Sequence, residues 1–288
     1  MTLLALAVGG RGLVDPDEPV LHVDDEAFLR SRAAFETTRV YGGRPFKLDE
    51  HLARLAGSAA RVEIGRIDTG ELGRLAALAL EAAGSPDAML RLFVTPGRDG
   101  AGSPTQVAMV STLPEGLDDL RERGIKLVSI QLGLDPELRA SSPWLLGGVK
   151  STSYAVNMAA EAEAKRRGAD DAVFLGAGDV VLEGPVTNVW WCYDDVLYTP
   201  ALELGILAGV TRAALIEEAA AAGREVREGV FPLGHLVAAD EAFTSSSIRE
   251  VMPVVEIDSR PIGAGAPGPV AQELQQALRR AAAAEIRR

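Results

Sequence analysis

DAVFLGAGDVVLEGPVTNVWWCYDDVLYTPALELGILAGVTRAALIE, residues 171–217, is the stretch that decides the fold. It opens with two apolar runs on either side of a Gly-Ala-Gly-Asp turn (171–184) and continues hairpin-fashion through TNVWWCYDDVLYTP (187–200). Past a glycine-rich turn it becomes a helical pattern over 210–223 that stops at Gly223. Strand pairs running into a helix predict layered sheet and helix packing without a regular βαβ alternation. Working outward, SYAVNMAAEAEAKRRG (153–168) reads as a helix capped by Gly168, IKLVSIQLG (125–133) as a strand and SSPWLLGG (141–148) as loop. DEAFTSSS (240–247) reads as a strand, and a helix closes the chain. In the N-terminal half, AAFETTRVYGG (33–43) is a strand ending in a Gly-Gly turn. A helix with Leu52, Leu55 and Ala59 on one face follows, with Asp49 as its expected N-cap. A second helix covers 70–84, and 89–97 and 105–112 are strands. The polar LPEGLDDLRERG (113–124) is the natural boundary. The expectation is an α+β domain over 1–115, a connecting stretch over 116–124 and an α/β domain over 125–288.

Two domains suit 288 residues, since single cores stop growing near ~250–300 residues. A net charge of −12 argues against a nucleic-acid binder, which needs a basic face for phosphates. No apolar run reaches the roughly 18 residues of a membrane helix, and the opening MTLLALAVGG lacks the basic start and cleavage pattern of a signal peptide. A lone cysteine, Cys192, forbids an intrachain disulfide. His22, His51 and His235 share no ligand spacing, so no metal site is expected. A reducing cytoplasm is the expected compartment. Of the 29 Lys and Arg residues only Lys47, Lys126, Lys150 and Lys165 are lysines, as a codon bias toward arginine would give. Against that background Lys150 stands out, in the charge-poor, glycine-rich LLGGVKSTSY (145–154). An amine can lose its proton near neutral pH and form a Schiff base; a guanidinium cannot. Taken alone, a loop lysine reaching solvent explains it as well.

Four further segments bear on chemistry. Glu183, at a strand end in DVVLEGPVTN (179–188), is either a solvated turn acid or a carboxylate that holds a proton on a heterocycle nitrogen. GILAGVTRAALIE (205–217) presents a helix N-terminus at Val210 and Thr211, an anion site or a plain capped helix. FTSSSIREVMPV (243–254) offers hydroxyls and N–H groups to a phosphate, or is a serine-rich turn. Arg54, in HLARL (51–55), is either a surface helix arginine or a phosphate ligand.

The order of these pieces is specific: FE-x-x-R, HL-x-RL, G-x-K, a helix, LEGPVTNV, GIL-x-GVTR, then F-x-x-SS. Over roughly residues 25–260 the chain resembles the class IV aminotransferases, pyridoxal 5'-phosphate enzymes of fold type IV. They include D-amino-acid transaminases, aminodeoxychorismate lyases and branched-chain aminotransferases. The resemblance implies a two-domain, D-amino-acid aminotransferase-like fold with the cofactor lysine in the C-terminal domain. It casts Lys150 as the Schiff-base lysine that also shuttles the α-proton, and Glu183 as the partner of the pyridine nitrogen. Arg54, Val210, Thr211, Ser246 and Ser247 would hold the phosphate. Phe35, Thr37, Tyr154, Ile248 and Arg249 fall beside cofactor and substrate, and Arg30, Arg32 and Arg98 are candidate substrate-carboxylate ligands. Tyr154 stands one position early relative to the branched-chain pattern. The expected reaction moves an amino group between an amino acid, D-alanine or D-glutamate first, and a 2-oxo acid such as 2-oxoglutarate or pyruvate. Aminodeoxychorismate lyase, releasing 4-aminobenzoate and pyruvate, is the alternative, with Thr37 at a position linked to that reaction. A branched-chain L-aminotransferase comes third. The resemblance also implies a homodimer.

Overall fold

The computed structural model describes residues 1–98 and 103–287. The chain sorts into two compact units. The first comprises Met1–Glu115, Val149–Tyr154 and Ala282–Arg288; the second comprises Gly116–Gly148 and Ala155–Ala281.

The first unit contains β1 (Leu3–Val8), β2 (Gly12–Val14), α1 (Glu26–Arg30), β3 (Ala34–Tyr41), β4 (Arg44–Pro45), α2 (Leu48–Arg61), α3 (Thr69–Ala83), β5 (Ala88–Thr95) and β6 (Thr105–Ser111). Its strands form an antiparallel sheet in the order β2-β1-β6-β5-β3-β4. Alternation along β3 divides the sheet's two faces. Ala34, Glu36, Thr38 and Val40 are buried, whereas Phe35, Thr37 and Arg39 are only partly covered. The buried face meets the apolar stripes of α2 (Leu52, Leu55, Ala59) and α3 (Leu72, Leu75, Ala76, Ala79) over Leu90, Leu92 and Val94 of β5. The segment Val149–Tyr154 pairs with the start of β3: Phe35 N–H donates to the Lys150 carbonyl at 3.1 Å and Thr152 N–H to the Ala33 carbonyl at 3.0 Å. Lys150 thus belongs to the N-terminal unit, not to the C-terminal domain where the sequence placed it. The expected Asp49 cap is also displaced. Helix α2 begins at Leu48 behind Lys47, which takes the left-handed conformation and makes no side-chain cap; Asp49 lies within the first turn, where a carboxylate suits the helix dipole.

The second unit contains α4 (Leu117–Arg123), β7 (Ile125–Gln131), α5 (Pro136–Ser141), α6 (Ala155–Arg166), β8 (Asp171–Leu175), β9 (Asn188–Tyr193), β10 (Val196–Pro200), α7 (Val210–Ala221), β11 (Val226–Gly229), α8 (Leu233–Val237), β12 (Glu241–Ser246), β13 (Glu250–Ile257), β14 (Arg260–Pro261) and most of α9 (Pro269–Ile286). Its sheet runs β11-β10-β9-β12-β13-β7-β8, with β14 on β13. The β10/β11, β13/β7 and β7/β8 pairs are parallel and the others antiparallel. Trp190 and Trp191 are fully buried; Trp190 stacks on Phe243, and Trp191 Nε1 donates to His235 Nδ1 at 2.8 Å. The stretch 116–124, expected as a connector, is instead α4. Asp118, Asp119, Glu122 and Arg123 face outward, Arg121 turns in to pair with the buried Glu250 at 3.1 Å, and Leu117 and Leu120 pack on the core, a two-leucine stripe too short to stand out in the sequence. Part of the expected loop before Lys150 is likewise ordered: α5 is capped by Asp135, and a 3-10 turn spans Pro143–Leu145. After the Gly-Ala-Gly-Asp turn there is no second strand, only single bridges at Val180 and Val181. Among the described residues no helix is long and apolar enough to cross a membrane, and no group of His, Cys, Asp and Glu could hold a metal ion.

Candidate active site

Lys150 follows Gly147 and Gly148, and the turn needs glycine at 148, where φ is +72°. Beyond it the chain is extended against β3, which fixes where the side chain starts. The Lys150 backbone N–H donates to Ser58 Oγ at 3.1 Å. The amine stands 4.4 Å above the centroid of the Phe35 ring and 3.3 Å from the Tyr154 hydroxyl. Phe35 stacks on Phe93 at 5.6 Å and meets Tyr154 edge-on at 5.3 Å. The structure therefore brings together Lys150, Phe35 and Tyr154, three of the residues singled out in the sequence. The tyrosine reaches the amine despite its early position.

Beneath this face lies a buried ionic group that the sequence reading did not find. Glu36 points inward and accepts from Arg54 Nε at 2.7 Å and Arg54 Nη2 at 2.8 Å, and its Oε2 lies 2.7 Å from His51 Nδ1. A carboxylate only accepts, so Nδ1 carries a proton in this contact. The signal was present in the strand alternation, because Glu36 falls in phase with Ala34, Thr38 and Val40. Burial raises the Glu36 carboxyl pKa, but Arg54 and His51 outweigh it and bring it down to about 2. Burial pushes the His51 imidazole below its ordinary value, against the opposing pull of Glu36. Both groups thus bind protons more readily when unfolded. Stability is expected to be full above about pH 6.5, to fall as the unfolded histidine takes a proton the folded one refuses, and to fall further as Glu36 titrates between about 4.5 and 2. The Glu36 shift corresponds to about 3 kcal/mol. Urea midpoints measured across this range should show the decline, with the upper part flattened in His51→Gln.

In the second unit, Glu183 ends the bridge region after β8. Its Oε2 accepts the Leu207 N–H at 2.9 Å and its Oε1 lies 3.4 Å from Arg139 Nη2. Arg139, on α5, was not anticipated, because nothing in a short polar helix marks an arginine as the partner of a distant acid. Its Nη1 is buried with no hydrogen-bond partner. Leu207 belongs to the turn before α7, and the Asn188 side chain donates to its carbonyl at 2.9 Å. Gly209 caps α7, and a Cβ there would come within 2.1 Å of Asn188 Oδ1, so only glycine fits. No side chain caps this helix, and the N–H groups of Val210 and Thr211 have no intrahelical acceptor. Thr211 is buried with its hydroxyl in this first turn. Ser246, Ser247 and Ile248 lie at the β12–β13 turn, where Ser246 Oγ accepts the Arg249 N–H at 3.3 Å. An oriented carboxylate for a ring N–H and donor-rich turns for a phosphate are the donor set that pyridoxal phosphate needs.

The candidate arginines are placed differently from one another. Arg32 pairs with Glu26 at 2.6 Å and donates to the Val62 carbonyl at the end of α2. Arg98 forms an exposed pair with Asp24 at 2.9 Å, and Arg249 pairs with the buried Asp171. Arg30 is exposed in the last turn of α1. Thr37 lies on the same face of β3 as Phe35.

Comparison with known proteins agrees with this donor set. The amino-transferase class IV family model matches residues 33–257. The chain is 32% identical over 258 residues to the bifunctional aminodeoxychorismate lyase / D-amino acid transaminase of Mycobacterium tuberculosis, covering 86% of this chain and 89% of that one. It is 29% identical to the D-alanine aminotransferase of Bacillus licheniformis over 92% of this chain and 93% of that one. Among solved structures, the alpha-ketoglutarate and PMP bound form of a Mycobacterium tuberculosis aminotransferase superposes with a TM-score of 0.92 at 30% identity, covering 98% and 99% of the two chains. This chain belongs to the class IV aminotransferases, two-domain fold type IV enzymes that work with pyridoxal phosphate.

Proposed function

We propose that the enzyme is a D-amino-acid transaminase whose cofactor is carried by Lys150, with 2-oxoglutarate or pyruvate as amino acceptor. The observation that carries this is the Lys150 amine held 3.3 Å from the Tyr154 hydroxyl on the Phe35 ring. Bound pyridoxal phosphate supplies an electron-accepting ring that stabilises negative charge at the substrate α-carbon. Lys150 takes the proton from that carbon and returns it to the cofactor carbon that carried the aldehyde. Tyr154 orients the amine, and Phe35 shields it from water on one side. Glu183, fixed by Leu207 N–H and Arg139, keeps a proton on the ring nitrogen. Val210, Thr211, Ser246 and Ser247 hold the phosphate, together with Arg54, whose Nε and Nη2 are engaged by Glu36. A homodimer is supported by large exposed hydrophobics, Val23, Phe28 and Leu29 in one unit and Trp144 in the other. The functional setting proposed is the cytoplasm.

Aminodeoxychorismate lyase is the second reading. It is favoured by Thr37 on the Phe35 face and by 33% identity to the Bacillus subtilis aminodeoxychorismate lyase. Incubating the holoenzyme with D-alanine plus 2-oxoglutarate, with L-leucine plus 2-oxoglutarate and with aminodeoxychorismate separates the readings. Rapid conversion of D-alanine is the expected result. Release of 4-aminobenzoate without D-alanine conversion would replace the transaminase by the lyase, and L-leucine conversion alone would point to the branched-chain activity.

A further inference from the structure

The turn between β12 and β13 is gripped by an arginine from α4. Arg121 Nη2 donates to the Arg249 carbonyl at 3.1 Å, and its Nε donates to the Val251 carbonyl at 3.2 Å. The same Nη2 lies 3.1 Å from Glu250 Oε2, so one guanidinium holds residues 249, 250 and 251 together. Glu250 is fully buried and takes the left-handed conformation, with φ at +55°. A buried carboxylate and a left-handed glutamate are each costly. Such a residue persists only where its surroundings hold it, and residues of this kind cluster at ligand sites. Helix α9 completes the hold. The Gln275 side chain donates to Glu250 Oε2 at 2.8 Å and accepts the Val251 N–H at 2.9 Å, and Arg279 Nη2 stands 3.0 Å from the same Oε2. On the other side of the turn, Ser246 Oγ accepts the Arg249 N–H at 3.3 Å, so the path of 249–251 sets where the donors of Ser246 and Ser247 point. Arg123, on the same helix, pairs instead with Asp170 at the surface.

Resting on the reading of Ser246 and Ser247 as phosphate ligands, we propose that Arg121, locked onto Glu250, is a positioning residue of the phosphate site. It fixes the 246–249 turn so that the turn's donors are set before the phosphate arrives. Donors that need no ordering on binding give tighter binding for the same contacts. Arg121 acts through the turn, and its loss falls on the phosphate of the cofactor rather than on the ring.

The test titrates full-length apoenzymes with pyridoxal phosphate and with pyridoxal, which offers the same ring and aldehyde without the phosphate. The proteins are wild type, Arg121→Gln, the double variant Arg121→Gln/Glu250→Gln, the double variant Ser246→Ala/Ser247→Ala, and Arg123→Gln. Changing Glu250 together with Arg121 removes the buried carboxylate that the single change leaves with less compensation. Both Arg121 variants should bind pyridoxal phosphate about ten-fold or more weakly, with pyridoxal within about two-fold of wild type. Arg123→Gln should match wild type for both compounds. An arginine that only supports the fold would weaken both compounds alike or neither, and either pattern overturns the proposal. Hydrogen exchange on the wild-type apoenzyme tests it without any variant. The amides of Arg249 and Val251 should already be protected and change less than about two-fold when pyridoxal phosphate is added. Protection that appears only with the cofactor would overturn the proposal. Failure of the underlying phosphate reading shows separately, as a Ser246→Ala/Ser247→Ala variant that binds pyridoxal phosphate as wild type does, and the proposal then falls with it.

Discussion

Lys150→Ala is expected to bind pyridoxal phosphate without covalent attachment and to lose about four orders of magnitude or more in turnover, with the fold intact. The side chain leaves only a contact over Phe35 and a hydrogen-bond distance to Tyr154, the former worth about 0.5–1 kcal/mol. The backbone pairing of residues 150–152 with the start of β3 does not depend on the amine. Circular dichroism and Tm should therefore stay close to wild type while activity disappears. Lys150→Arg should be as inactive, because a guanidinium keeps its proton and cannot serve as the base. Lys165→Ala, at an exposed position on α6, is the matched control and should keep full activity.

Glu183→Gln carries the second largest effect. The amide keeps the shape but cannot hold a proton on the ring nitrogen as a carboxylate does, so kcat is expected to fall about 10²–10³-fold with a much smaller change in KM. The same change leaves Arg139, whose Nη1 already lacks a partner, without its carboxylate, so a Tm loss corresponding to about 1–3 kcal/mol is expected. Arg139→Gln should be milder in kcat, since Leu207 N–H still fixes one Glu183 oxygen. A visible spectrum altered in Glu183→Gln and nearly unchanged in Arg139→Gln would separate the acid's role from that of the arginine that positions it.

Much of this was legible in the sequence where the signal is local. Gly84 and Gly168 mark helix ends, alternation along 34–41 gives a strand with two faces, and the glycine-to-helix junction before Val210 gives a helix N-terminus, which the structure shows to lack a side-chain cap. Local patterns fail where partners come from far along the chain. Arg249 meets Asp171 from across the sheet, Arg139 meets Glu183, and Arg54 meets Glu36 of a strand beneath its helix. Nothing in the spacing of these residues distinguishes a guanidinium satisfied by the protein from one left for a ligand. For that reason Arg98 and Arg249 drew attention in the sequence, although the structure gives each a carboxylate partner, Asp24 and Asp171. The helix at 117–123 was hidden in the same way, because two leucines among seven residues show their purpose only against a core built from later strands.

The claim on which everything else rests is that one lysine of four carries the cofactor. Borohydride reduction of the purified holoenzyme, followed by proteolysis and mass mapping, tests it directly. The expected result is loss of the visible band and a single pyridoxyl adduct on Lys150. An adduct on Lys47, Lys126 or Lys165 instead, or no adduct in a protein that binds the cofactor and turns over, would contradict it.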